Sequence, residues 1–171
     1  MKSKKLTLIS LMIVLSVIVN IFERYLPSLS FIPGAKWGLA NIIILVGTLF
    51  MGFKELFLIA FLRSVFSSFI FGTFMSTQFY LSISGAVSSV CVMYLLSKKN
   101  FFSFVGISVM GSFTSNSVQL FVYSLFSGFV VMRYMAVLTI FSVLTGSITG
   151  TISLLIAKKL SNLKDNLVTY H

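Results

Sequence analysis

LTLISLMIVLSVIVNIFERYL, residues 6–26, holds no charged side chain before Glu23 and follows Lys2, Lys4 and Lys5. A bilayer core about 30 Å thick is crossed by roughly 20 apolar residues in a helix, and this run has that length. The apolar core of a secretory signal is shorter, about 7–15 residues, and leads to a small-residue cleavage site. No A-x-A site follows here, so the run reads as a first membrane span. The whole chain has the same character: of 171 residues 57% are hydrophobic and 9% charged, against roughly 25% charged in soluble domains. The formal charge of +10 would suggest nucleic acid in a soluble protein. In this chain the basic residues fall mostly between apolar runs, where they set topology, and no nucleic-acid partner is expected.

Five more apolar runs follow, at residues 37–51, 56–71, 79–96, 104–126 and 134–157. They predict an all-α membrane protein, one domain over residues 1–171 with six transmembrane helices. The second and third runs are short, and Gly52, Phe53, Lys54 and Glu55 between them read as a tight turn at the membrane surface. With the N-terminus inside, nine lysines lie on the inner side: Lys2, Lys4, Lys5, Lys54, Lys98, Lys99, Lys158, Lys159 and Lys164. Arg24, Lys36 and Arg133, three residues, lie outside. This excess places both termini in the cytoplasm. Small residues every four positions, Ser108, Ser112 and Asn116 on the fifth run and Ser142, Gly146 and Gly150 on the sixth, predict close helix packing within the bundle. The single cysteine, Cys91, lies inside an apolar run and reads as a packing residue.

Function must rest on the few polar side chains within these runs, because a charge at the bilayer centre costs about 2.5–3.5 kcal/mol even on insertion scales. Arg63 is the deepest, about seven residues or roughly 10 Å from the inner end of its span. Glu23, one turn from the outer end of the first span, is its expected partner, in a pair that either supports the fold or serves a ligand. Asn116, Gln119 and Tyr123 share one face of the fifth helix at i, i+3 and i+7. Asn41 sits about one turn inside the second span, with Lys36 and Gln78 at the outer rim. Together these groups outline an outward-facing cavity, with Lys36, Asn41, Arg63, Gln78, Asn116, Gln119 and Tyr123 as substrate-binding candidates. Lys36 above Arg63 favours an anionic group on the ligand.

The block PGAKWGLAN, residues 33–41, resembles the signature of the membrane family known as Gx transporter and heptaprenyl diphosphate synthase component I. Glu23, the Gly52-x-Lys54-Glu55 turn, Arg63, Asn116 with Gln119 and the glycine-bearing sixth run are similar too. The family in turn resembles, by fold and topology, the substrate-binding S components of energy-coupling-factor vitamin transporters. That resemblance implies a multi-pass protein of the bacterial cytoplasmic membrane, six helices, and a pocket open to the outside. The A-x-x-x-A motif with which many S components dock their membrane partner does not occur in the first span.

Two functions follow. One is capture or transport of a small anionic or amphipathic molecule from the outer side, with an energy-coupling module as the implied partner. The other, implied by the family name, is a noncatalytic membrane subunit associated with heptaprenyl (polyprenyl) diphosphate synthesis. Prenyl transfer by the usual route needs clustered aspartates to hold magnesium. Asp165 is the one aspartate in the sequence, so no enzyme activity, metal or cofactor is expected of this chain.

Overall fold

The computed structural model describes residues 2–25, 37–99 and 101–168, with side chains for 5–25, 37–99 and 101–160. Among them there is no strand. The helices are α1 (Lys2–Tyr25), α2 (Asn41–Gly47), α3 (Phe53–Ile70), α4 (Thr77–Ser97), α5 (Phe104–Ser127) and α6 (Met135–Val168), the last entered through a 3-10 turn at Phe129–Tyr134. The stretches Lys5–Tyr25, Thr77–Ser97 and Phe129–Leu160 are three among the described residues that are long and apolar enough to cross a bilayer. Helices α3 and α5, of 18 and 24 residues, have the length as well. Their apolar character is diluted by polar side chains that face inward: Arg63, Ser64 and Ser67 on α3, and Ser112, Asn116 and Gln119 on α5 are all buried. The outside is apolar, as Leu11, Val14, Ile18 and Phe22 of α1 illustrate. Polar groups turned inward and bare hydrocarbon turned outward suit a chain whose solvent is lipid.

Helix α1 packs on α3, α3 on α4, α4 on α5 and α5 on α6, while the short α2 touches all the others. The five longer helices therefore form a curved row around α2. Buried Ile44 and Leu45 of α2 join Leu56, Ile59, Val90 and Met93 in the apolar core. At one end of α1, Lys5 Nζ lies 2.5 Å from Glu55 Oε1 at the start of α3. Toward the other end, Ser67 Oγ donates to Asn20 Oδ1 at 2.8 Å and Arg24 lies over the Phe71 ring. Helices α1 and α3 are therefore parallel. Helix α4 returns antiparallel, because Phe53 at the start of α3 meets Tyr94 near the end of α4.

The second span, expected as a continuous run over residues 37–51, is corrected by the structure. Only seven residues, Asn41–Gly47, are α-helical. At about 1.5 Å per residue they rise roughly 10 Å, a third of a bilayer core. The backbone is drawn out by tighter bonds between residues three apart, Asn41 N to Gly38 O and Ile42 N to Leu39 O before the helix and Leu49 N to Val46 O and Phe50 N to Gly47 O after it, where Thr48 N and Met51 N still reach Ile44 O and Gly47 O four residues back. Such 3-10 turns rise about 2.0 Å per residue. Residues 38–52 thereby run from the level of Glu23 to the level of Lys5, about 27 Å along α1 by helical rise, which an α-helix of the same length would not cover.

The small-residue stripes meet within one molecule. A Cβ at Gly146 would come within 2.6 Å of the Val109 Cα, and one at Gly150 within 2.7 Å of the Val105 Cα. Across the same seam Ser108 and Thr149 share a hydrogen bond of 2.8 Å, and Asn116 Nδ2 donates to Ser142 Oγ at 2.8 Å.

The Lys5–Glu55 contact gives a pH prediction. Its hydrogen bond holds the Glu55 carboxyl below its ordinary value of 4.5. A depressed folded-state value adds stability above the unfolded value and loses it as pH falls through the folded one. Glu55→Gln is expected to cost under about 1 kcal/mol at pH 7, since the pair is at the surface. The difference between wild type and variant should shrink as pH falls below the ordinary carboxyl value of 4.5, as read by thermal unfolding in detergent at a series of pH values.

Candidate functional site

The Gly38 end of α2 opens onto a polar cavity that α1, α3, α4 and α5 enclose. Gly38 adopts φ +73°, a left-handed conformation costly for other residues. In that conformation its N–H donates to Glu23 Oε1 at 2.6 Å, joining α1 to the start of α2. The expected direct Glu23–Arg63 pair is thus not formed as an ion pair. One carboxylate oxygen accepts from the Gly38 backbone, and no nitrogen of Arg63 lies within 4 Å of Glu23. Both side chains nevertheless line the same cavity, so the two charges attract across it.

Arg63 is 4% exposed, and its Nε and Nη1 have no hydrogen-bond partner. The neighbouring serines do not serve it: Ser64 and Ser68 donate to the α3 carbonyls of Ala60 and Ser64, and neither hydroxyl oxygen accepts from the Nε or Nη1 of Arg63. Two further orphans face the same space. Gln119 gives its Nε2 to Ser115 Oγ at 2.9 Å and leaves Oε1 unpartnered, and Ser112 Oγ is unpartnered too. A buried polar group without a partner costs about 1–3 kcal/mol, more when charged, and here three side chains bear that cost around one cavity. The cavity is about 30 Å³ and polar, large enough to hold water.

Of the residues expected from the sequence, Asn41, Arg63, Asn116 and Gln119 line the cavity, and Glu23 lines it with them. Asn116 is anchored to Ser142, which fixes the face of α5 that carries it. Tyr123 and Gln78 are not among the lining residues. Tyr123 is half-buried one turn beyond Gln119, and Gln78 is exposed at the start of α4. Lys36 lies outside the described residues. Trp37 is half-buried with its ring edge-on to Phe141 of α6, 5.6 Å between centroids. Sequence reasoning missed Asn20, Ser82, Ser112 and Ser115. Asn20 carried a signal, since it stands three residues before Glu23 on the same helical face. Ser112 was hidden in the packing stripe, although it is one turn before Asn116.

Gly38→Ala tests the joint between α1 and α2. Added left-handed strain of about 1–2 kcal/mol and a displaced N–H should lower the unfolding temperature and loosen α1. Hydrogen exchange is expected to rise at residues 19–25 and not in α6.

These features define a class: an all-helical membrane protein whose interior holds a charged polar cavity. Within that class the chain belongs to the heptaprenyl diphosphate synthase component I family, whose model matches residues 12–156. The match reaches from α1 into α6 and includes every residue that lines the cavity. No curated protein and no solved structure matches the chain.

Proposed function

We propose that this chain is a noncatalytic, multi-pass component of the bacterial cytoplasmic membrane that acts in heptaprenyl diphosphate synthesis and holds a small anionic group in the Arg63 cavity. The family match supports the setting. The observation that carries the binding role is the buried guanidinium of Arg63, with two nitrogens unpartnered beside a cavity. In this reading the chain makes six crossings with both termini in the cytoplasm. Lys5, Lys54 and Lys98 then form an exposed basic inner end that meets a synthase subunit, in keeping with their shared end of the bundle.

A second reading is capture of an anionic or amphipathic molecule from the outer side, as S components do, with an energy-coupling module as partner. It is favoured by the cavity's place at the Glu23 and Gly38 end, away from Lys5, Lys54 and Lys98. Two sets of variants separate the readings. Exchange of Lys54, Lys98 and Lys99 for glutamine is expected to weaken pull-down of the cognate synthase subunit, while Asn116→Ala and Gln119→Ala leave it intact. Loss of uptake in the second set with unchanged pull-down in the first would establish capture and contradict the synthase setting.

A further inference from the structure

The cavity's charge balance narrows the ligand further, given the reading of Arg63 as an anion site. Among the described residues, the charged side chains that line the cavity are Arg63 and Glu23, 4% and 8% exposed, and they already offset one another before any ligand arrives. A bare anion would bring a net negative charge into a low-dielectric interior, where an uncompensated charge is strongly disfavoured. The orphan groups also ask for both kinds of partner. The Nε and Nη1 of Arg63 need an acceptor, while Oε1 of Gln119 needs a donor because its amide nitrogen is held by Ser115. Ser112 Oγ can serve either.

We propose that the cavity takes a small amino carboxylate, with its carboxylate on Arg63 and its ammonium group toward Glu23 and the Gln119 carbonyl. Such a zwitterion adds no net charge, and it supplies the acceptor and the donor that the orphans lack. The cavity of about 30 Å³ is smaller than such a molecule, so the lining side chains move aside to admit it.

The test is calorimetric titration of the detergent-purified protein with glycine, L-alanine, acetate, propionate and inorganic pyrophosphate. Glycine and alanine should bind about 10- to 100-fold more tightly than acetate and propionate, the worth of one charge-assisted hydrogen bond. Glu23→Gln should bring the amino carboxylates down to the level of the plain ones. Gln119→Leu, which keeps Glu23 and its bond to Gly38, should narrow the gap by itself. Acetate binding as well as glycine, or pyrophosphate binding best, with either lost in Arg63→Met, would overturn the zwitterion and leave the anion site standing. Binding of none of the five to the wild type, or binding indifferent to Arg63, would overturn both.

Discussion

Replacing Arg63 with methionine is expected to leave the empty protein about as stable as the wild type while abolishing anion binding. The opposite expectation belongs to a structural ion pair, where removing one partner costs about 3–5 kcal/mol because the other charge stays buried alone. Here Glu23 has the Gly38 N–H as its own partner, and Arg63 has two unpartnered nitrogens. Taking away donors that already lack bonds removes a desolvation cost of about 1–3 kcal/mol, which offsets the lost attraction to Glu23, and flexible methionine fills the space. What is lost is the field that draws an anion inward. Thermal unfolding and titration of the same preparation would read both effects. A large loss of stability, relieved by adding Glu23→Gln, would show that the two charges act as a pair and not as a ligand site.

The second large effect is expected at the α5–α6 seam. Gly146→Leu would place a branched side chain where even a Cβ meets the Val109 backbone at 2.6 Å. Backbone cannot turn aside as a side chain can, so α6 must move away. That movement breaks the Asn116–Ser142 and Ser108–Thr149 bonds. Overpacking alone costs about 1–3 kcal/mol, and two buried hydrogen bonds add about 1 kcal/mol each. A fall in unfolding temperature with no change in oligomeric state is the expected result. If the variant instead shifted a dimer to monomer at unchanged stability, the glycine face would belong to an interface between copies.

Much of this molecule could be read from residue type and position along the chain. Arg63, Asn41, Asn116 and Gln119 stood out because a polar side chain in an apolar run must face inward or meet a partner, and the structure brings these four to one cavity. The close approach of α5 and α6 was legible in the four-residue spacing of small side chains. The break in the second run was not, because 3-10 turns use the same apolar residues as an α-helix and differ only in which carbonyl each N–H reaches. The partner of Glu23 was hidden for a similar reason. A backbone N–H has no side-chain signature, and the left-handed turn that aims Gly38 at Glu23 appears in the sequence only as one glycine among 11.

Native mass spectrometry of the detergent-purified protein, wild type against Arg63→Met, tests the central claim most directly. The wild type is expected to retain a small polar molecule with an anionic group, and the variant to lose it while remaining folded. The same bound mass in both proteins, or a folded wild type that retains nothing and gains nothing on exposure to small carboxylates, would contradict a ligand site at Arg63.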